Sequence, residues 1–278
     1  MKNILVPTDF SANAENALTY ACELNRKMKT NIKLLHSYSV PVPAGDTLVV
    51  PIDDTELKAI SLANLTKTRD KIHMQYPDMD LEVQSTMGMA ADEIVLIAQE
   101  TNTELIVMGT HGATGIGAFL LGTNTANVIE RTKCAVIAVP ENAVFNGLKR
   151  IVFAADYGNH NFEQIKHVVE FAKMFGSEII LLHISTGEVE GVFEDMEIAR
   201  FKEQVISESG YNNVTYRLIE DKDVFHGINQ YLEQFKPDML AISMRSRTLF
   251  ERMFSRSLTK RLAYQTHTPL LALHIAKK

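Results

Sequence analysis

The 278 residues suffice for one large domain or two ordinary ones, and an apolar fraction of 46% supports a substantial core. A formal charge of −6 argues against a general nucleic-acid-binding surface, and no apolar run approaches the length of a membrane span. Two cysteines, Cys22 and Cys134, make no disulfide framework and, without a Cys/His pattern beside them, no metal site; as small apolar side chains they point to a reducing compartment, the cytoplasm.

Taken in order, the chain alternates strands and helices. Asn3 to Pro7 (NILVP) is a short apolar strand, followed by Thr8-Asp9-Phe10-Ser11. Ser11 is placed to cap a helix with Ala14, Ala17, Leu18, Ala21, Cys22 and Leu24 at helical spacing, closed by Lys27 to Thr30. Asn31 to Ser37 is a second strand. Tyr38 to Pro51, with three prolines and one glycine, is a loop, and Asp53 or Asp54 caps a long helix that stops before Pro77. Leu81 to Met87 alternates as a third strand, Ala90 to Glu100 is a helix, and Leu105 to Met108 is a buried fourth strand. After a glycine-rich stretch, Asn124 to Arg131 is a helix and Ala135 to Val139 a fifth strand, ended by Pro140. This alternation predicts an α/β fold with a parallel sheet and right-handed crossovers. Such sheets bind ligands at the carboxyl ends of strands, beside the point where strand order reverses.

The second half repeats the first. Lys149 to Tyr157 aligns with Lys2 to Phe10 at an offset of 147 (156 − 9), and Leu182-His183 matches Leu35-His36 at the same offset. Asp238 to Ser246 aligns with Glu104 to Gly112 at 134 (238 − 104), so the middle of the second copy is shorter by 13 residues (147 − 134). Two copies of one domain, joined around Glu141 to Gly147, account for the pattern.

Five of the 14 glycines (Gly109, Gly112, Gly115, Gly117 and Gly122) crowd between the fourth strand and the helix after it. Such a loop lets backbone N–H groups approach an anion without Cβ interference, and the helix N-terminus adds unpaired donors and a positive dipole end. This is a phosphate cradle. A Walker loop is excluded by the absence of Gly-x4-Gly-Lys-Ser/Thr, and the dinucleotide fingerprint fails because Gly115-x-Gly117 continues to Leu120. The spacing present, Gly109-x2-Gly112-x9-Gly122-Thr123, resembles the ATP-binding motif of the universal stress protein family, and the lead-in LIVMGTHG is typical of it.

The resemblance covers nearly the whole chain and implies two tandem Rossmann-like domains of the adenine nucleotide α-hydrolase-like kind, residues 1–143 and 147–278. Each would be a five-stranded parallel sheet of order 3-2-1-4-5 with flanking helices. It implies ATP, with or without Mg²⁺, in the first domain. Asp9 would contact the nucleoside, with Pro7 and Thr8 beside it; the plainer alternative is a helix-capping aspartate, and the two roles can coexist. The backbone at Ser37 would meet adenine. Met108, Gly109 and Gly112 would flank ribose and phosphates, and Gly122, Thr123, Asn124 and Thr125 would donate to phosphate oxygens. By family analogy the fifth strands, Ala135 to Val139 and Leu270 to His274, pair within the chain as an intrachain pseudo-dimer, and the whole chain forms a further homodimer.

No catalytic constellation stands out: neither a Gly-x-Ser-x-Gly elbow nor His-Glu-x-x-His is present. His111 is an exposed loop residue near the nucleotide or, less simply, an acid–base group; His36 and His183 occupy equivalent strand ends as packed or hydrogen-bonded histidines. In the second copy, Ser243, Ser246, Arg256 and Ser257 stand where Gly109, Gly112, Gly122 and Thr123 stand in the first, and Asp156 keeps the place of Asp9. Arg245, Arg247, Arg252, Arg256, Lys260 and Arg261 form either a solvated basic face or an anion or partner site. The chain thus reads as an ATP-binding, nucleotide-dependent stress regulator. The alternatives are a slow ATP-hydrolysing or nucleotidyl-transferring enzyme, and a scaffold for an unidentified protein partner with a structural nucleotide.

Overall fold

The computed structural model describes residues 3–39, 54–110, 122–154, 162–187, 191–243 and 267–274. Asp53, His111, Gly112, Asp156, Ser246, Ser257 and the basic run from Arg245 to Arg261 lie outside them.

The first copy runs β1 (Asn3–Pro7), α1 (Ala12–Met28), β2 (Asn31–Tyr38), α2 (Asp54–Gln75), β3 (Leu81–Met87), α3 (Ala90–Glu100), β4 (Leu105–Gly109), α4 (Thr123–Arg131) and β5 (Ala135–Val139). The second runs β6 (Arg150–Ala154), α5 (Phe162–Phe175), β7 (Glu178–Ser185), α6 (Gly191–Ser209), β8 (Val214–Glu220), α7 (Val224–Phe235), β9 (Met239–Ser243) and β10 (Leu270–Leu273). Four boundaries move by one residue from the sequence reading: β2 takes in Tyr38, β4 takes in Gly109, α4 starts at Thr123, and β10 stops before His274.

All ten strands join one sheet in the order β3-β2-β1-β4-β5-β10-β9-β6-β7-β8. The first copy therefore has the order 3-2-1-4-5, and the second mirrors it. Strands within each copy are parallel, whereas β5 and β10 meet antiparallel, with Ile137 opposite Leu271 at the centre of their register. Helices cover both faces, so β4, β5 and β9 are buried at every position and lose the alternation of a half-exposed strand. One core lies beneath α1, α2, α5 and α6; the other lies beneath α3, α4 and α7. Both cores run across the junction of the copies.

Ladder length differs between the copies at one place. β1 pairs with β4 only through Ile4–Leu105 and Leu5–Ile106, while β6 pairs with β9 through four residues, Ile151 to Ala154.

The link between the copies is held by α1. Asn16 donates through Nδ2 to the carbonyls of Pro140 (3.0 Å) and Ala143 (2.9 Å). Phe145 packs edge-on against Tyr20 of α1, with ring centroids 5.1 Å apart, and against Phe175 of α5 at 6.1 Å. Among the described residues, no helix is long and apolar enough to cross a membrane.

Candidate functional site

Chain order reverses between β1 and β4, which are neighbours in the sheet although β2, β3 and their helices intervene in sequence. Their carboxyl ends bring Pro7-Thr8-Asp9 beside Met108-Gly109. This is the position at which open α/β sheets form a ligand crevice.

The turn after β1 is tightly determined. The Thr8 N–H donates to the Leu35 carbonyl at 2.8 Å, and Thr8 Oγ1 accepts from the Phe10 N–H at 3.0 Å. Phe10 sits in the left-handed region at φ 62°, an uncommon conformation for an aromatic residue. Its ring lies 4.5 Å from that of His36. The exposed Asp9 accepts at Oδ1 from both the N–H (3.1 Å) and the hydroxyl (2.6 Å) of Ser11. Ser11 in turn caps α1 by accepting from the Ala14 N–H at 3.3 Å. Asp9 thus braces the cap while its side chain stays at the surface of the crevice.

His36 hydrogen-bonds through Nδ1 to Ser61 Oγ at 2.7 Å, and Ser61 to Ser85 at 2.6 Å. Burial pushes the His36 imidazole below its ordinary value, partly opposed by the nearby negative charge of Asp9. Its counterpart His183 meets Glu194 of α6 at 3.3 Å instead. Both are the hydrogen-bonded histidines of the plainer sequence reading. Ser37 turns its hydroxyl to the Gly88 carbonyl (2.7 Å), and the Gly88 N–H returns to Tyr38 at 2.9 Å, so this serine ties β2 to the turn after β3.

Opposite Asp9, Gly109 is closed in by a residue of α1 that sequence reasoning passed over. A Cβ there would lie 2.6 Å from Oδ1 of Asn13 in α1 and 3.2 Å from its backbone oxygen. Asn13 is 5% exposed, reaches Thr110 Oγ1 with Nδ2 at 3.4 Å, and has no partner for Oδ1 among the described residues. Its signal was legible: residues 13, 17, 20 and 24 fall on one helical stripe, all buried. Glycine at 109 is thus required by the packing of α1, whatever approaches from the crevice.

The two strands of the glycine loop's neck are clamped together. The Gly122 N–H donates to the Thr110 carbonyl at 2.5 Å, and the buried Thr125 hydroxyl donates to the Gly109 carbonyl at 2.8 Å. Two donors expected to face phosphate are therefore committed to holding α4 on β4. What faces outward is the start of α4 itself. Among the described residues no side chain caps it, and its first turn carries no acid. The first intrahelical bond is Ala126 N–H to Gly122 O at 2.9 Å, so the N–H groups of Thr123, Asn124 and Thr125 precede the helical ladder. Thr123 and Asn124 are exposed, Met108 is buried beneath, and Gly112 lies outside the described residues. An unneutralised helix start beside a strand switch point favours an anion. Among the described residues, no group of three or more His, Cys, Asp or Glu side chains is arranged to hold a metal.

Comparison with known proteins follows the repeat. The model of the universal stress protein family matches residues 1–140 and again 147–274. Universal stress protein MJ0577 of Methanocaldococcus jannaschii is 31% identical over 153 residues, spanning 50% of this chain and 94% of that protein. Universal stress protein Slr1230 of Synechocystis is 22% identical over 291 residues, 98% of this chain and 99% of its own. The crystal structure of a universal stress protein from Archaeoglobus fulgidus superposes with a TM-score of 0.74 at 19% identity, covering 98% of each chain, a likeness of fold.

Two outcomes follow from this geometry. Gly109→Ala should destabilise the protein by about 1–3 kcal/mol in urea unfolding, as overpacking does. The same change in an Asn13→Ala background should cost less than half as much; additive losses would show that Asn13 is not the obstacle. The second concerns pH. His36 binds its proton less readily folded than unfolded, as does His274, whose imidazole burial also lowers. The unfolded state therefore takes up protons first, and stability should be full above an imidazole's ordinary value near 6.5 and fall as pH drops below it. His36→Asn should shallow that acid-side decline, measured by urea unfolding from about pH 8 to pH 5.

Proposed function

The chain belongs to the universal stress protein family, twice over, and from that premise we propose that its first copy binds ATP and that the chain acts as a nucleotide-dependent regulator of the stress response. The observation that carries the reading is the start of α4: uncapped by any side chain among the described residues, free of acid in its first turn, and set at the carboxyl end of β4 next to β1. The motif Gly109-x2-Gly112-x9-Gly122-Thr123 supports the same site.

In this reading the N–H groups of Thr123, Asn124 and Thr125 hold phosphate oxygens, helped by the Thr123 hydroxyl and the Asn124 amide. A helix N-terminus contributes about 0.3–1 kcal/mol to an exposed charge, so several donors must act together. Asp9, beside Pro7 and Thr8 and already oriented by Ser11, reads ribose hydroxyls or the adenine amine. The backbone around Ser37 borders the base, its side chain fixed by Gly88. Met108 and Gly109 floor the crevice. Mg²⁺, where present, would travel with the triphosphate. No residue is assigned a catalytic role.

Calorimetry on the intact chain, with and without Mg²⁺, tests the assignment. One ATP per chain is expected. Gly122→Arg should abolish binding without unfolding, because the backbone at Gly122 (φ −58°, ψ 153°) suits any residue. Asp9→Ala should weaken ATP more than inorganic triphosphate. A ratio near two, or full binding by Gly122→Arg, would overturn the site; recovery of hydrolysed nucleotide after long incubation would favour an enzyme over a binder.

A further inference from the structure

The β1–β4 ladder stops at a proline. Successive N–H groups of a strand point to alternate neighbours. In β1 the Thr8 N–H goes to Leu35 on the β2 side (2.8 Å), and the Asn3 carbonyl accepts from Glu104 on the β4 side (3.2 Å). Pro7, in phase with Asn3, therefore turns its nitrogen toward β4, and that nitrogen carries no hydrogen. The β1–β4 ladder ends at Leu5–Ile106, although β1–β2 continues to Pro7–Leu35 and β4–β5 to Gly109–Val139. The outer ladders run on beyond it: Thr8 bonds to β2, and the Thr110 N–H bonds to Val139 of β5 at 3.0 Å.

The second copy supplies the control. Ala154 stands at the position of Pro7 and has its N–H. There the ladder runs on through Phe153–Ala241 and Ala154–Ile242, the counterparts of Val6–Val107 and Pro7–Met108, which are unpaired in the first copy's register. Laddered strands lie about 4.8 Å apart. A ring lying between two chains, in contact with both, needs about 7 Å.

We propose that Pro7 is the positioning residue that opens the first copy's crevice, by withholding one ladder hydrogen bond where a nucleoside ring enters between β1 and β4. The inference rests on the nucleotide reading and adds to it a determinant outside the glycine motif. It also gives a backbone reason, beside the lost glycines, for the second crevice to refuse the same ligand. Pro7 acts through the ladder bond it leaves unmade, and no contact between its ring and the ligand is needed.

The test uses the full chain in three forms: unmodified, Pro7→Ala, and a chain with lactic acid at position 7, which has alanine's side chain and an ester oxygen in place of the N–H. One net backbone hydrogen bond gained by the unbound state shifts an equilibrium roughly two- to tenfold. Pro7→Ala should therefore bind ATP roughly two- to tenfold more weakly, and its new amide should be protected from hydrogen exchange to the level of Ala154. The lactic acid form, which cannot donate, should recover most of the affinity that Pro7→Ala loses. Equal affinity of Pro7→Ala and the unmodified chain, a lactic acid form that binds no better than Pro7→Ala, or a rapidly exchanging amide at position 7 would each overturn the proposal. Failure of the unmodified chain to bind any adenine nucleotide would instead sink the nucleotide reading, and this inference with it.

Discussion

An apolar strand cannot leave its N–H and C=O groups along an open edge without inviting unwanted pairing. β5 and β10 are buried at every position, and each satisfies the other's edge through the register centred on Ile137 and Leu271. That antiparallel junction sets everything else about the molecule's plan. Each copy is parallel within itself, so the carboxyl ends of its strands all face one way; the junction turns the second copy round and sends its strand ends the other way. The two crevices consequently open at opposite margins of one sheet. Each can change its residues without obstructing the other, and the replacement of Gly109 by Ser243 in the second copy is one result.

Around the first crevice, α1 is the common support. Its N-terminus is fixed by Ser11 and Asp9, its first turn puts Asn13 against Gly109, its second holds the interdomain link through Asn16, and its third packs Tyr20 on Phe145. Burial drives this arrangement, and the polar groups are spent on geometry: Thr8, Asp9, Ser37, Gly122 and Thr125, all assigned to the ligand from sequence, each use a hydrogen-bonding group to hold strand, turn and helix in place. What remains for an anion is the part of α4 that the protein does not use itself.

The elements were legible because their signals are local. Short apolar runs between helices read as buried parallel strands, Ser11 reads as a cap, and the repeat of Asp9 at Asp156 reveals two copies. Even α2, whose 22 residues bury only Ser61, Leu65 and Ile72 and so show little periodicity, was bounded by Asp53 or Asp54 and by Pro77. The reasons behind individual residues were less legible because they are long-range. Gly109 reads as an open approach for a ligand, but the atom that excludes a Cβ comes from Asn13, on another element. Gly122 and Thr125 read as donors to phosphate, and only the fold reveals Thr110 and Gly109 as their acceptors. Phe10 carries no sequence mark of its left-handed backbone, which the Thr8 hydroxyl and His36 ring impose from outside.

The short link from Val139 to Arg150, pinned by Asn16 and wedged by Phe145 between α1 and α5, changes the thermodynamics of the central pairing. Two separate subunits joined through such strands would come apart on dilution, and their sheet would depend on abundance in the cell. Here the partner strand is tethered, and its effective concentration is set by the link and not by expression level. The ten-stranded sheet therefore persists at any protein concentration, and a fall in copy number leaves each surviving molecule with its first crevice intact.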